Sequence, residues 1–461
     1  MFVTPRPGFE ERIPGQGLIL TWTGPGELPR ADSASPARSS ASKESSRTQR
    51  QLQLHGIGLP YELTEACKVP ALQHKDEVLI EVKAISLNPI DWKSADYGFG
   101  IPTLPCIKGC EYAGKVVALG CGSDCHGLRI GDSVIAITTD YRDYRKAAFQ
   151  EFAVAWQHNV CKVPSAIDPL SAASVGVAFI AASFALGISL GITFPSLAEE
   201  GQSLDMLSLA RSQPIEHIPF NVRNEVLYSL DSGDRPSIGE WILIMDASSV
   251  SGQVATQLSK LSGLRVIAVA DVSKYGEKLS TLGADLVLDR HNLPLAAETI
   301  CDSTNGTLRL AIDTVSKETA SWCQEQLLCS EERSRRRHQG RSLSSNSSDH
   351  SEASTAHRIS MPSGPVCHLV GLAGLPEYGV PHVRTHNVPM KLFHENAELG
   401  KEVMQWLGAA LEKAKLRFPE VEVVEGGLDV VNGALNRLRE GDDEGKRLVV
   451  KMKGWPRVEE M

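Results

Sequence analysis

From Trp241 onward the chain repeats one unit: a short apolar run, a small-residue turn, then a segment with helical spacing. WILIMD (241–246) is apolar up to its closing acid, as a parallel strand covered on both faces must be. ASSVSG follows as the turn, and QVATQLSKLSG has helical spacing that stops at Gly263. RVIAVAD, KYGEKLSTLGA and DLVLD continue the alternation, and LRLAIDTV and VCHLVGLAG supply two more strands. Such a β-α-β repeat predicts an α/β fold with a doubly wound parallel sheet.

The segment before it has another grammar. EVLIEVKAI (77–85) alternates like a strand with one buried face, and EYAGKVVAL (111–119) and DSVIAIT (132–138) are further short β-like runs. Gly109, Gly114, Gly120, Gly122 and Gly131 punctuate them as turns, so a small barrel or sandwich is expected here. Between the two regions, Leu170–Phe194 carries no charged residue and is long enough to span a bilayer. Ala, Gly and Ser dominate it and no basic cluster flanks it, which favours a buried helix over a membrane span.

At roughly 150 residues per domain, 461 residues would make about three domains. Two stretches reduce that number. Residues 23–50 and Ser330–His357 are too poor in large apolar side chains to offset the entropy of ordering them. A disordered tail over 1–50 is expected, and Ser330–His357 is read as a loop insertion because patterned sequence resumes on both sides. A net charge of −9 speaks against nucleic-acid binding, which needs a basic surface. Ten cysteines are too sparse for a disulfide scaffold, and no secretory signal pattern is evident, so a cytoplasmic protein is expected.

A dinucleotide needs a strand that ends in a tight, small-residue turn at a helix N-terminus, where backbone N–H groups meet the pyrophosphate. Asp246–Gly252 has that context but only one glycine, with Ser248, Ser249 and Ser251 as small hydroxyl donors around Val250. Asp271 closes the next strand, nineteen residues beyond Gly252. There it binds a ribose 2′-hydroxyl, favouring NAD, or merely caps the following helix. Lys274 and Tyr275 could instead hold a 2′-phosphate, favouring NADP. Later strand ends place Asp313, Thr314 and Val315, with Val370, Gly371 and Leu372, near the nicotinamide.

These motifs resemble a family. LNPIDWK, GCEYAG and GDSVIAI resemble the GroES-like catalytic domain of medium-chain dehydrogenase/reductases, and GADLVLD and EGDDEGKRLVVKM fit the remainder. DYGFGIPTLPCIKGCEYAG and TDYRDYRKAAFQEFAV are similar to the fungal zinc-independent quinone oxidoreductases and polyketide trans-acting enoyl reductases. The resemblance implies a GroES-like β-barrel over 51–180, completed by 412–461, beside a Rossmann domain over 181–411, with a nicotinamide cofactor in the cleft between them. Insertions would interrupt the Rossmann domain near 195–238, read as helical and lying over the cleft, and near 330–360. Hydride would pass to an enone, quinone or enoyl substrate. Partners would be a small molecule and, in the trans-acting case, a polyketide synthase; family habit predicts a homodimer. A cofactor-binding protein without turnover is the competing reading.

Zinc-dependent relatives hold catalytic zinc with a Cys in the first motif and a His in Gly-His-Glu. Here Asn88-Pro89-Ile90-Asp91 lacks a thiolate and Gly109-Cys110-Glu111 carries Cys for His, too few ligands for catalytic zinc. Cys121, Cys125 and His126 have the wrong spacing for structural zinc, so no metal is expected. A developing oxyanion then needs other donors. Asn88 offers an amide, Lys93 an ammonium for substrate or cofactor phosphate, and Asp91 would orient Lys93 or cap a turn. Tyr141 and Tyr144 are proton-donor candidates, against solvated loop tyrosines. Ala181 stands where many relatives carry a threonine. Lys446 resembles the basic residue that closes over cofactor phosphate, or is a sheet-edge lysine. His382 and His386 read as surface or strand-end residues.

Overall fold

The computed structural model describes residues 47–121, 127–138, 140–197, 201–328, 366–442 and 445–453. Most of the stretch expected as a tail, the Ser330–His357 insertion, and the Cys125 and His126 metal reading lie outside these residues.

The first domain begins with an antiparallel pair, β1 (Thr48–Gln53) and β2 (Glu62–Lys68). β1 therefore starts inside the stretch read as tail. The alternating run at 77–86 forms β3 (Glu77–Ser86), with Val78, Ile80 and Val82 buried and Leu79, Glu81 and Lys83 half-buried between them. β4 (Glu111–Leu119), β5 (Ser133–Ile137), β6 (Phe152–Trp156) and β7 (Val160–Lys162) join it through antiparallel pairings. Gly114 in β4 passes so close to its neighbour that a Cβ would stand 2.2 Å from the Glu81 carbonyl oxygen. The glycine there serves sheet packing rather than a turn.

The cofactor domain is built on β8 (Trp241–Met245), β9 (Arg265–Ala270), β10 (Leu286–Asp289), β11 (Leu310–Asp313), β12 (Cys367–Gly371) and β13 (Val383–Asn387). All pairings are parallel, in the order β10-β9-β8-β11-β12-β13. This is the doubly wound order whose direction reverses beside the first strand, where ligands bind. Every residue of β8, β11 and β12 is buried, as their mostly apolar sequence predicts, Asp313 and His368 being the polar exceptions. The chain then returns to the first domain. β14 (Val421–Glu425) and β15 (Arg447–Lys451) extend its sheet, β15 pairing antiparallel with β3.

The uncharged segment is a near-continuous helix, Pro169–Ser189, apolar and long enough to cross a membrane by length and composition alone. Its apolar window is 83% buried inside the protein. Phe179, Ala182 and Ala185 share one core with Val254, Ala255 and Leu258 of the helix Val250–Leu261, which follows β8. The small residues allow that close approach. Gly187 faces Met206, whose Cε would lie 2.0 Å from any Cβ there.

Met206 begins the short helix Met206–Ser212 of the 195–238 segment. That segment was expected over the cleft. It packs instead on the flank of the cofactor domain: the Arg384 guanidinium of β13 donates to Ser229 O at 2.5 Å, and Trp406 donates to Pro195 O at 3.1 Å. Its two ends border a 390 Å³ cavity with the loop ahead of β9, at the amino ends of the strands, away from the Asp246–Gly252 turn.

His386 corrects a further expectation. It is fully buried on β13, with Nδ1 2.8 Å from Glu225 Oε1 and Nε2 2.9 Å from Nδ1 of buried His368. A strand-end histidine is thus part of a buried polar chain that anchors the inserted helix Arg223–Tyr228 to the sheet.

Candidate active site

β3 ends at Ser86, and Asn88-Pro89 opens the helix Pro89–Tyr97, with proline at a first-turn position where its missing N–H costs nothing. The Asp91 carboxylate turns back to accept the Asn88 N–H at 2.8 Å. The Asn88 side chain points elsewhere. Its amide donates to Glu111 Oε1 at 2.8 Å and Ser86 O at 3.4 Å, and its carbonyl accepts from Arg447 at 2.5 Å. With both amide hydrogens engaged by the protein, Asn88 acts as a positioning residue rather than the oxyanion donor that its motif suggested.

Glu111 is the hub of this network. One oxygen takes Asn88 and the Arg447 guanidinium (2.6 Å), while the other takes the Val177 N–H at 2.6 Å. Val177 lies in the first turn of the helix Gly176–Phe184, so the carboxylate sits where the helix dipole favours an anion. Gly176 leaves room for it: a Cβ would stand 2.9 Å from Glu111 Oε2. Strands β4 and β15 are thereby tied to the helix that enters the cofactor domain.

Asp91 does not pair with Lys93. Its other oxygen faces the Cys110 thiol at 3.6 Å, the Tyr61 hydroxyl donates to its backbone carbonyl at 2.7 Å, and its nearest opposing charge is buried Lys108. Burial pushes the Asp91 carboxyl up, against the pull of Lys108 and Arg447. Burial also pushes the Lys108 ammonium down, against Asp91. The Cys110 thiol is raised well above its ordinary value by burial and by the carboxylates beside it. Lys93 is half-buried with its ammonium 5.6 Å from the Trp92 ring centroid, and burial lowers its pKa. It makes no ion pair among the described residues.

Tyr141 lies on the loop after β5, and its ring covers the Lys108 ammonium at 3.4 Å. The next residue, Arg142, reaches the cofactor domain and pairs with Glu395 at 3.1 Å, so this loop stands at the domain junction. Burial, with Cys110 and Asp91 nearby, holds the phenol pKa well above its usual value. Tyr144 is a different case: its hydroxyl is bonded to Thr103, 2.7 Å from the carbonyl.

At the carboxyl end of β8 the chain turns through Asp246, at φ 52°, into the helix Val250–Leu261. Ser249 is the N-cap, its hydroxyl accepting from Gly252 N at 3.1 Å and donating to Asp246 O at 2.9 Å. Ser248 donates to the Asp246 carboxylate. Gly252 is obligatory, because a Cβ would lie 2.4 Å from Asp246 O. The first-turn N–H groups of Val250 and Ser251 have no intrahelical acceptors, the arrangement that receives a pyrophosphate.

Thr314 binds Ser249 at 3.0 Å and so joins the end of β11 to this turn. Asp313 is buried, its Oδ1 accepting the N–H groups of Val315 and Ser316 at 3.0 Å; burial pushes it up to about 6. Gly371 pairs with Asp313 across the sheet, and a Cβ on it would meet Gly374 O at 2.1 Å. Leu372 follows, packed against the main core.

Asp271 occupies the N-cap position of the helix Val272–Leu282 without capping it through its side chain. Its carboxylate takes the Ser273 hydroxyl at 2.6 Å and His291 Nε2 at 3.4 Å, and these bonds lower its pKa. Lys274 is exposed beside it. Tyr275 turns toward the catalytic domain, where its hydroxyl would lie 1.8 Å from a Cβ on Gly445, next to half-buried Lys446.

Residues 74–165 match the alcohol dehydrogenase GroES-like domain family. The solved quinone oxidoreductase of Pseudomonas syringae superposes over 87% of this chain and 99% of its own with a TM-score of 0.59 at 18% identity. The chain shares the fold of the medium-chain dehydrogenases/reductases.

Two curated fungal reductases resemble the chain in sequence. A trans-enoyl reductase of Trichoderma harzianum is 30% identical over 259 residues, 55% of this chain and 60% of that protein. A trans-enoyl reductase of Fusarium mangiferae is 26% identical over 386 residues, 81% of this chain and 91% of that protein. The alignment with the first thus spans less than two thirds of its length. Relative to the zinc-binding motifs of the superfamily, Asn88 and Cys110 are drawn into the Glu111 and Asp91 network. Among the described residues, no group of three or more His, Cys, Asp or Glu side chains is arranged to hold a metal ion.

The structure therefore gathers Asn88, Asp91 and Tyr141 at one site, and Ser248, Ser249, Gly252, Asp313 and Gly371 at another. Lys108, Glu111, Arg447 and His291 complete these sites and were not singled out from sequence. Lys108 had a readable signal, a charged residue inside the otherwise uncharged run Ile101–Cys110. Arg447 had none, since 336 residues separate it from Glu111.

Proposed function

We propose that the protein is a zinc-independent, NADP(H)-preferring reductase of enones, quinones or enoyl thioesters. The observation that carries this reading is the Ser249-capped turn at the carboxyl end of β8, where a Cβ on Gly252 would stand only 2.4 Å from Asp246 O. The residues present fit a dinucleotide: Val250 and Ser251 would receive pyrophosphate on their N–H groups, and Asp313, Thr314, Gly371 and Leu372 would border the nicotinamide. NADP over NAD is supported by the Asp271 carboxylate already being held by Ser273 and His291, with exposed Lys274 beside it to meet a 2′-phosphate.

When bound, the reduced nicotinamide supplies a hydride to the electrophilic carbon of the substrate. Lys93, without an ion-pair partner among the described residues, is the cation available to polarise the substrate or hold a phosphate. Tyr141 donates the proton. Its O–H bond breaks as the enolate electron pair forms the new C–H bond, and the phenolate left behind is reprotonated by water. Two hydrogens would thus be added to the substrate, a hydride from the bound cofactor and a proton from Tyr141.

The similarity to trans-enoyl reductases favours an enoyl thioester substrate, presented in trans by a polyketide synthase. Consumption of NADPH and of NADH with an enone, a quinone and an enoyl thioester tests the reading. Turnover with NADPH is expected. Cofactor binding with no turnover on any of the three would replace this reading with a binding protein, and a response to NADH alone would reverse the cofactor preference.

A further inference from the structure

Lys108 is a buried charged side chain at the site to which the resemblance assigns no work. It is 2% exposed, and its single hydrogen bond among the described residues goes to Gly100 O at 3.2 Å. Stripping a lysine of water is costly unless something nearby repays it. Two groups do so: the Asp91 carboxylate on the helix Pro89–Tyr97, and the face of the Tyr141 ring, whose centroid is 3.4 Å from the ammonium. The stack is built rather than incidental. Gly100, at φ 60°, admits the ring, because a Cβ there would lie 2.8 Å from Tyr141 Cδ2 and 3.7 Å from Lys108 Nζ.

We propose that Lys108 is a positioning residue for the reduction: it fixes the Tyr141 ring at the domain junction and supplies the positive charge that stabilises the Tyr141 phenolate once its proton has gone to substrate. This rests on the reductase reading above. The physical need is plain from the neighbours. The ionisable groups facing the Lys108–Tyr141 pair are Asp91, Cys106, Cys110 and Tyr61, and none of them is a cation. A phenolate formed beside the Asp91 carboxylate would be strongly disfavoured, and a cation 3.4 Å under the ring offsets that repulsion.

The test uses the full chain carrying Lys108→Met, Lys108→Arg or Tyr141→Phe, with kcat and KM read across pH 6–10 and NADPH affinity read by fluorescence. Lys108→Met should lose roughly 10- to 100-fold in kcat with KM and cofactor affinity little changed, a smaller loss than the general acid itself can supply. Wild-type kcat should fall on the alkaline side as Lys108 deprotonates. Lys108→Arg should keep most of the activity and move that limb to higher pH, because the guanidinium stays charged.

An unchanged kcat and pH profile in Lys108→Met overturns the proposal; if that variant does not fold, an unmoved limb in Lys108→Arg does so. Loss of turnover in the wild type on every substrate would sink the reductase reading alone. The pairing is then read from phenolate absorbance, using the difference between wild type and Tyr141→Phe to isolate Tyr141. Tyr141 should ionise at lower pH in Lys108→Arg, whose charge persists, than in Lys108→Met, and equal ionisation in the two overturns the pairing.

Discussion

Arg447 and Glu111, contributed by β15 and β4, meet at 2.6 Å with the carboxylate side chain fully buried and the guanidinium 8% exposed. Removing one partner of such a pair leaves a buried charge uncompensated, at a cost of about 3–5 kcal/mol. Arg447→Met should therefore lower the unfolding free energy by about that amount, read by urea denaturation. Adding Glu111→Gln to it should recover part of the loss. A double variant less stable than Arg447→Met would show that Glu111 serves Val177 and Asn88 more than it serves the arginine.

The turn after β8 leads to a prediction about binding. Gly252→Ala places a methyl group 2.4 Å from Asp246 O, where only backbone movement can relieve the clash. NADPH affinity should fall at least tenfold, about 1.4 kcal/mol. The comparison is Ser248→Ala, which deletes one hydroxyl bond to Asp246 and leaves the backbone path intact. Equal affinity for the Gly252→Ala and wild-type proteins, by fluorescence titration, would move the cofactor site away from this turn.

Cofactor choice turns on the loop after β9. Lys274→Ala should weaken NADPH about tenfold and leave NADH unchanged, because only the former carries a 2′-phosphate for an exposed ammonium. The effect should shrink as salt rises, as exposed charge pairs are screened. Equal losses for both cofactors would place Lys274 on the shared pyrophosphate instead.

The parts of this molecule that were legible in sequence are those whose burial is local. β8, β9, β11 and β12 are covered on both faces, so each had to be largely apolar, and apart from Arg265 and Asp313 at strand ends and His368 inside β12 each reads so. β13 escaped notice because it is an edge strand reading VRTHN, with a histidine and an arginine serving the inserted segment. The active-site network escaped for a topological reason. Asn88, Glu111 and Arg447 lie 23 to 359 residues apart, and only the return of the chain through β15 brings them together. The Asn88 motif was visible while its employment was not, since which atoms an amide bonds is settled by packing. The 195–238 segment was recognised as extra, yet its place on the flank depended on Gly187 admitting Met206, a pairing with no local signature.

The buried histidine pair gives a pH dependence whose sign can be worked out. Burial, with His386 and the arginines Arg309 and Arg384 nearby, pushes His368 down to about 3, well below the ordinary value of 6.5. The unfolded chain therefore binds a proton at this position between about pH 6.5 and 3 that the folded chain does not. Stability from neutral His368 is fully present above pH 6.5 and is lost as the pH falls toward the folded value. The slope approaches about 1.4 kcal/mol per pH unit for one such group. His368→Phe, which fits a buried position on β12 and does not titrate, should flatten that slope between pH 6 and 4 while costing stability at pH 7 through the lost bond to His386. Urea unfolding of both proteins at pH 7, 6, 5 and 4 makes the comparison. Parallel wild-type and variant curves would mean that acid sensitivity arises elsewhere, with the lowered carboxylates Glu77 and Asp143, both bonded to Arg145, as the next groups to examine.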